Sequence, residues 1–322
     1  MNYKLKKISG DASFREFYRV KKNNKTSIIV FAKKEKYKNL IVYALVNKIL
    51  NSHNILSPKL LKNYYRNNII EITDLGDKSF HDYIKNKKNK IKDYKKLIDL
   101  IIKIQKIKLK KIYNFEQKKI KFNKYSLDNL HKESDLFFDW YLKFLLKNKN
   151  LSKIKKILKN ELNNIYKKLY FKNSCFTHRD FHASNIMINK KKLGIIDSQD
   201  AIIGNPLYDV VSLIDDVRIK IPKRLQDNLF NYYCTKSKFK KKDQAYFKND
   251  FDILSIQRNL KILGIFTRLY KRDKKSNYLK YLPYTWKLID RRMKSPIFDR
   301  LNILMKKYLP LKKLKNRKKY EN

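Results

Sequence analysis

The stretch from Cys175 to Asp209 constrains this chain more than any other part of it. Ile186-Met187-Ile188 and Leu193-Gly194-Ile195-Ile196 are two short apolar runs on either side of Lys190-Lys191-Lys192. Such a pattern predicts a β-hairpin with a polar turn. Asn185 stands just before the first strand and Asp197 just after the second. A hairpin returns its two ends to one place, so an amide oxygen and a carboxylate would come side by side. That pair suits a hard cation bridging phosphate oxygens, and Mg²⁺ in particular, because Mg²⁺ keeps several waters and asks for few protein ligands. For any one of these residues alone, a turn-capping role in a surface loop is the alternative.

His178-Arg179-Asp180, followed by Asn185, has the spacing of the kinase catalytic loop. There the Asp accepts the acceptor's hydroxyl proton and the Asn binds Mg²⁺. Protein kinases continue with Phe-Gly and a long activation segment. Here Asp197 is followed by Ser198-Gln199-Asp200, and Asp209 arrives after a short Gly204-Asn205-Pro206 turn. That leaves no room for a peptide-docking platform. The order of these motifs resembles the aminoglycoside/choline phosphotransferase family. The resemblance implies an α+β, protein-kinase-like fold with two lobes: a small N-terminal lobe built on an antiparallel sheet plus one helix, and a larger, mainly helical C-terminal lobe. It implies ATP and Mg²⁺ as cofactors, Asp180 as catalytic base, and Asn185 and Asp197 as metal ligands. His178 and Asp209 become structural supports, Asp209 as a buried anchor that holds the catalytic loop by hydrogen bonds. Asp200 remains open between metal, acceptor and neither.

Composition tests the rival classes. The 322 residues carry a formal net charge of +50, from 79 Lys and Arg against 29 Asp and Glu. Such an excess ordinarily points to nucleic acid or an anionic membrane. The basic residues are mostly Lys, however, and they run through every segment together with Asn, Ile and Tyr. The expectation is therefore a diffusely charged surface with no specific nucleic-acid partner. Cys175 and Cys234 lack metal-ligand spacing, which fits a reduced, cytoplasmic setting. Met1 to Lys7 shows no apolar leader, and Lys interrupts every apolar run well before the roughly 20 residues a membrane span requires.

Upstream, Tyr3 to Ile8, Phe14 to Val20 and Ser27 to Ala32 predict three strands. Gly10, Asp11, Ala12 and Ser13 lie between the first two. A glycine there would let backbone amides approach a phosphate, although an ordinary hairpin turn fits these residues equally. Lys33 ends the third strand and resembles the kinase lysine that pairs with ATP phosphates, but the helix expected over Tyr37 to Asn51 offers no acid to orient it, and Lys34 is an equal neighbour. After strands at Leu60-Leu61 and Ile69 to Thr73, Asp74-Leu75-Gly76 reads as a linker where backbone groups would meet an adenine edge. The expected division is a nucleotide-binding lobe over 1–76, a helical lobe with catalytic loop and acceptor pocket over 77–310, and a basic tail over 311–322. Nearly everything after Gly76 other than the hairpin reads helical: Ile91 to Leu109, Leu127 to Leu146, Ile154 to Tyr170, Tyr208 to Arg218, a helix opened by Pro222, and Phe251 to Asp273. The aromatic run Phe137 to Tyr141 suits core packing or, alternatively, a sugar pocket.

Three separated stretches resemble one branch of the family, the bacterial anomeric kinases of N-acetylmuramate and N-acetylglucosamine. They are Gly10 to Arg15, Asp197 to Ala201 with Tyr208 to Leu213, and Gln257 to Arg272. This implies a small sugar as acceptor. Arg258, Arg268 or Arg272 would pair with the carboxylate of an acidic sugar, or else lie on the outside of a helix. Ser198 departs from the branch, where an aromatic is usual, and is expected to loosen the packing behind Asp197. The alternatives are a kinase for another hydroxylated acceptor, such as an aminoglycoside or a choline-like amino alcohol, and a polyanion-binding protein on a degenerate kinase scaffold.

Overall fold

A computed structural model of the chain describes residues 4–8, 15–23, 25–33, 38–146, 150–237 and 243–312. The chain forms two compact units, residues 1–123 with 175–203 and residues 124–174 with 204–322. These units are set by packing rather than by role. The hairpin that carries Asn185 and Asp197 belongs with the N-terminal sheet, and no break falls at Gly76.

The first unit is built on a five-stranded antiparallel sheet in the order β1-β2-β3-β5-β4. Its strands are β1 (Lys4–Ile8), β2 (Glu16–Lys22), β3 (Lys25–Phe31), β4 (Leu60–Tyr64) and β5 (Ile69–Thr73). On β3 and its extension, Ile28, Val30 and Ala32 are buried at every second position, and Ile70 and Ile72 of β5 join them. That alternation marks a sheet with one covered face. Leu40 and Tyr43 of helix α1 (Lys38–Ser52) close the core. After the linker come the single turn α2 (Phe80–Ile84), capped by Ser79, and α3 (Ile91–Gln105). In α3 the residues Tyr94, Leu97, Ile98, Ile101 and Ile104 form the buried stripe that its helical period predicts.

A hairpin, β6 (Ile112–Phe115) with the Lys-rich β7 (Lys118–Lys121), follows. It lies between the helices expected over Ile91 to Leu109 and Leu127 to Leu146, where the sequence predicts no strand. Its turn residues Glu116 and Gln117 both have positive φ, at 49° and 58°, the geometry of a tight two-residue hairpin loop but without the usual Asn or Gly.

The short strand β8 (Cys175–Thr177) leads into the loop from His178 to Asn185. The predicted hairpin then forms as β9 (Ile186–Asn189) and β10 (Lys192–Ile195), with Ile186 opposite Ile195. It is stitched down on both edges: the Ile188 amide donates to the Lys78 carbonyl at 2.8 Å, and the Ile195 amide to the Leu56 carbonyl at 2.8 Å. Gly194 permits that approach, since a Cβ there would come within 2.9 Å of the Leu75 side chain. A last short strand, β11 (Ile202–Gly204), follows.

The second unit is helical: α4 (Leu127–Leu136), α5 (Lys143–Leu145), α6 (Leu151–Tyr166), α7 (Tyr208–Ile214), α8 (Lys223–Lys236), α9 (Gln244–Asp273), α10 (Leu282–Arg292) and α11 (Asp299–Tyr308). Between α4 and α5 the chain widens into a π-helical turn over Phe137–Leu142. There Phe137 and Tyr141 pack on Trp286, whose indole N–H donates to the Tyr141 hydroxyl at 2.6 Å. The aromatic run is therefore core. Helix α9 is 30 residues long and is buried on all sides from Phe251 to Leu260. Its Gly264 passes so close to Leu136 that a Cβ would lie 2.3 Å from that backbone. Among the described residues no helix is long and apolar enough to cross a membrane.

Candidate active site

Hairpin geometry brings Asn185 and Asp197 together. The Ile196 amide donates to the Asn185 carbonyl at 3.0 Å, so the ladder of β9 and β10 extends by one step and Asp197 is the next residue out. The Asn185 side chain is oriented from behind: its Nδ2 donates to the Asp180 carbonyl at 3.0 Å, which turns Oδ1 the other way, free to coordinate. The same Asp180 carbonyl accepts from the His182 amide at 3.0 Å, and the Asn185 amide donates to the His182 carbonyl at 2.9 Å. These bonds wind Asp180 to Asn185 into one compact loop. His178 is buried beneath it, with Nε2 donating to the Ile196 carbonyl at 3.1 Å. The loop and the second hairpin strand are thereby held as one piece.

Two residues that flank the loop and the hairpin adopt backbone conformations that non-glycine residues seldom take. Arg179 has φ 75° and Asp197 has φ 63°. Strain of this kind persists only where the surroundings enforce it, and it concentrates at functional sites.

The electrostatics point the same way. Asp197 keeps 36% of its side-chain surface open, while protein crowds its other sides. Loss of water on those sides, followed by the nearby negative charge of Asp180, pushes its pKa up to about 6. Water at the open face screens part of that push. Gln199 donates to Asp197 Oδ1 at 2.9 Å, and the buried Arg15 guanidinium lies 3.9 Å from the same oxygen. A partly open carboxylate whose pKa is raised by burial and by a second negative charge suits a site that a cation completes.

The donor set fits Mg²⁺. It offers one amide oxygen and one carboxylate, and among the described residues there is no cluster of three or more His, Cys, Asp or Glu that would suggest a closed metal cage.

The other predicted site residues are placed as follows. Asp200 is exposed, 4.0 Å from Arg179. Lys33 is exposed in the turn after β3, and α1 has no acidic residue to meet it. The carboxylate of Asp74 is committed to Arg19, at 2.6 and 3.1 Å, and to the Gly76 amide at 2.8 Å. Gly10, Asp11, Ala12 and Ser13 lie outside the described residues. Asp209 is buried in the first turn of α7, within the second unit. Arg258 belongs to that unit too, and it is buried with its guanidinium 6.0 Å from the Tyr208 ring, not on the outside of its helix. Arg272 pairs with its neighbour Asp273.

Ser198 corrects an expectation. It does not loosen the packing but is wholly buried, and its hydroxyl donates to Asn47 Oδ1 of α1 at 2.8 Å. Arg15, Tyr43 and Asn47 received no role from sequence. Only Arg15 carried a signal, as the last residue of the stretch that begins at Gly10.

Comparison with known proteins gives the same direction. The model of the phosphotransferase enzyme family matches residues 4–244. A curated N-acetylmuramate/N-acetylglucosamine kinase of Pseudomonas aeruginosa is 25% identical over 290 residues, 88% of this chain and 81% of that protein. The protein of that name from Neisseria meningitidis is 24% identical, over 88% of this chain and 83% of its own length. Among solved structures, a choline/ethanolamine kinase family protein from Mesorhizobium loti superposes with a TM-score of 0.62 at 13% identity, covering 94% of this chain and 92% of that one. An ADP-bound aminoglycoside phosphotransferase, APH(2'')-Ib, gives 0.58 at 14% identity, covering 90% and 94%. The likeness to these structures is one of α+β fold.

Proposed function

We propose, from the premise that this chain belongs to the phosphotransferase enzyme family, that it is an ATP-dependent kinase of a small sugar, acting on the anomeric hydroxyl of N-acetylmuramate or N-acetylglucosamine. The observation that carries the reaction is the pairing of Asn185 and Asp197 at the open end of one hairpin, beside the loop that bears Asp180. The acceptor rests on the curated relatives, which match most of the chain. A cytoplasmic setting, as part of the recycling of cell-wall amino sugars, agrees with this reading.

Mg²⁺, held by Asn185 Oδ1 and the Asp197 carboxylate, would supply positive charge for the phosphate oxygens. Asp180 orients the sugar hydroxyl and takes its proton as the new oxygen–phosphorus bond forms and the bond from the γ-phosphorus to the β–γ bridging oxygen breaks, releasing ADP. An anomeric hydroxyl is more acidic than a simple alcohol, so a carboxylate is an adequate base. No covalent enzyme intermediate is required. His178 and the Asp180 backbone keep base and ligands in one rigid loop, so their spacing does not have to be found anew for each turnover. The phosphate-loop role of Gly10 to Ser13, the phosphate contact of Lys33 and the adenine-edge position of Asp74 belong to this proposal, as does the anchoring role of Asp209.

Incubation with Mg-ATP and a panel of amino sugars, amino alcohols and aminoglycosides, followed by ³¹P NMR of the products, tests it. A sugar 1-phosphate is the expected product. A phosphate on choline or on an aminoglycoside would replace the acceptor while keeping the chemistry, and no transfer to any acceptor would overturn both.

A further inference from the structure

The helix beside a kinase's phosphate-binding lysine normally carries a glutamate, and that ion pair signals that the site is assembled. Helix α1 here reads Lys-Asn-Leu-Ile-Val-Tyr-Ala-Leu-Val-Asn-Lys-Ile-Leu-Asn-Ser, without one acid, and Lys33 is exposed. Something else must join α1 to the reacting end of the hairpin.

A buried polar cluster lies in that position. Asn47 of α1 is buried and accepts the Ser198 hydroxyl at 2.8 Å. One turn earlier on the same face lies Tyr43, which is also buried. The Arg15 side chain, only 3% exposed, spans Tyr43 and Asp197: its guanidinium is 5.9 Å from the ring centre and 3.9 Å from Oδ1. On its far side Asn47 is fixed as well, with its carbonyl accepting from Ser57 Oγ at 2.9 Å and from Asn51 Nδ2 at 2.8 Å. The cluster thus meets Asp197 at its carboxylate and at the residue that follows it. Asp197 is also the residue held at positive φ, the conformation that its surroundings must enforce.

We propose that Arg15, Tyr43, Asn47 and Ser198 are positioning residues that lock Asp197 to helix α1 and take over the linking role of the missing lysine–glutamate pair. The inference rests on Asp197 as a metal ligand. Groups that orient a ligand from behind typically change metal affinity about 10- to 100-fold when removed. The effect should therefore fall on metal binding and leave the binding of metal-free nucleotide nearly untouched.

The test is a Mn²⁺ titration of the full chain by electron paramagnetic resonance, with and without a non-hydrolysable ATP analogue, alongside binding of that analogue in EDTA. Arg15→Gln is expected to weaken Mn²⁺ by about 10-fold or more, with Arg15→Lys restoring most of the loss and analogue binding in EDTA unchanged. Ser198→Ala, which removes one buried hydroxyl, should weaken Mn²⁺ in the same sense, and far-UV circular dichroism checks that both variants fold. Native Mn²⁺ affinity in both would overturn the proposal, as would an equal loss of metal-free nucleotide binding, which would make Arg15 a phosphate contact. Asp197→Ala is the reference. If it leaves the Mn²⁺ titration unchanged, the ligand assignment itself fails. If it abolishes binding while Arg15→Gln does nothing, only the positioning role fails.

Discussion

Two groups of acids in this chain are built on opposite plans. In the first unit, Asp197 is partly open to solvent, feels the negative charge of Asp180 and, less, of Asp200, and has the Arg15 guanidinium 3.9 Å from Oδ1. In the second unit, Asp215 is enclosed. Arg292 donates to both its oxygens, at 2.8 and 3.1 Å, Ser255 donates at 2.5 Å and Gln226 at 3.1 Å. Arg292 also lies 3.6 Å from Asp252 and 4.7 Å from the Phe251 ring centre. One group keeps a carboxylate open to solvent, and the other is closed around its own arginine. The contrast separates a site that acts from a site that holds: incomplete satisfaction is tolerable only where a ligand will complete it.

The largest expected effect lies in the closed group. Replacing Arg292 by Met strands Asp215 in the interior, and breaking a buried pair on one side costs about 3–5 kcal/mol. Urea unfolding should show that loss. A second substitution, Asp215→Leu, should recover much of it, because removing both charges removes the reason for either. A double variant no more stable than Arg292→Met would mean that the pair does more than satisfy itself.

The next effect belongs to the open group and appears in rate instead of stability. Asp180→Asn keeps the shape and removes the base, and general-base catalysis is commonly worth on the order of 10²-fold or more. Steady-state assays should show that drop in kcat with nucleotide binding retained and the unfolding midpoint nearly unmoved. Full activity would remove Asp180 from its role.

Asp74 is a mixed case, sharing a unit with the open group but paired like the closed one. Burial raises its pKa, but the Arg19 hydrogen bonds and the Gly76 amide outweigh that and hold it below the ordinary value of 3.8. A carboxylate with a depressed folded pKa lends stability above its unfolded pKa, and that stability is lost as pH falls through the folded value. Asp74→Asn should cost about 1–3 kcal/mol near neutrality. The gap from the native chain should shrink as the unfolding buffer is taken from pH 5 towards pH 2. A gap that stays constant over that range would show that Arg19 is not what holds Asp74.

How much of this was legible in the sequence differs between the two regions for a physical reason. The open group is local: Asp180, Asn185 and Asp197 lie within one short stretch, and a hairpin converts their spacing directly into proximity. The stripe of α3 was legible for the same reason, since helical period alone decides which residues meet the core. The positioning cluster is not local. Arg15 and Asp197 meet only because the sheet, α1 and the hairpin all pack in one unit, and nothing at either position announces the other. The burial of Arg258 was hidden by its surroundings, because in a chain this basic a helical arginine looks like solvated surface. The hairpin of β6 and β7 escaped because its turn is Glu116-Gln117 rather than Asn-Gly, and its second strand is mostly exposed lysine.

The smallest effect is the sharpest test of the contrast. In the metal-free protein Asp197 has a folded pKa near 6, above the ordinary 3.8, so over that interval the folded state binds more protons than the unfolded one. Stability then falls as pH rises from about 4 to 6, opposite in sign to Asp74. Asp197→Asn removes the titrating group, so its stability should be flatter over the same interval, and above pH 6 the variant should melt slightly higher than the native chain. Thermal unfolding in EDTA across pH 4 to 7 measures the difference, and added Mg²⁺ with nucleotide should reverse it by stabilising only the native chain. A variant that melts lower than the native chain at pH 7 in EDTA would place Asp197 with Asp215, among the acids that hold the fold together, and the distinction between the two groups would be lost.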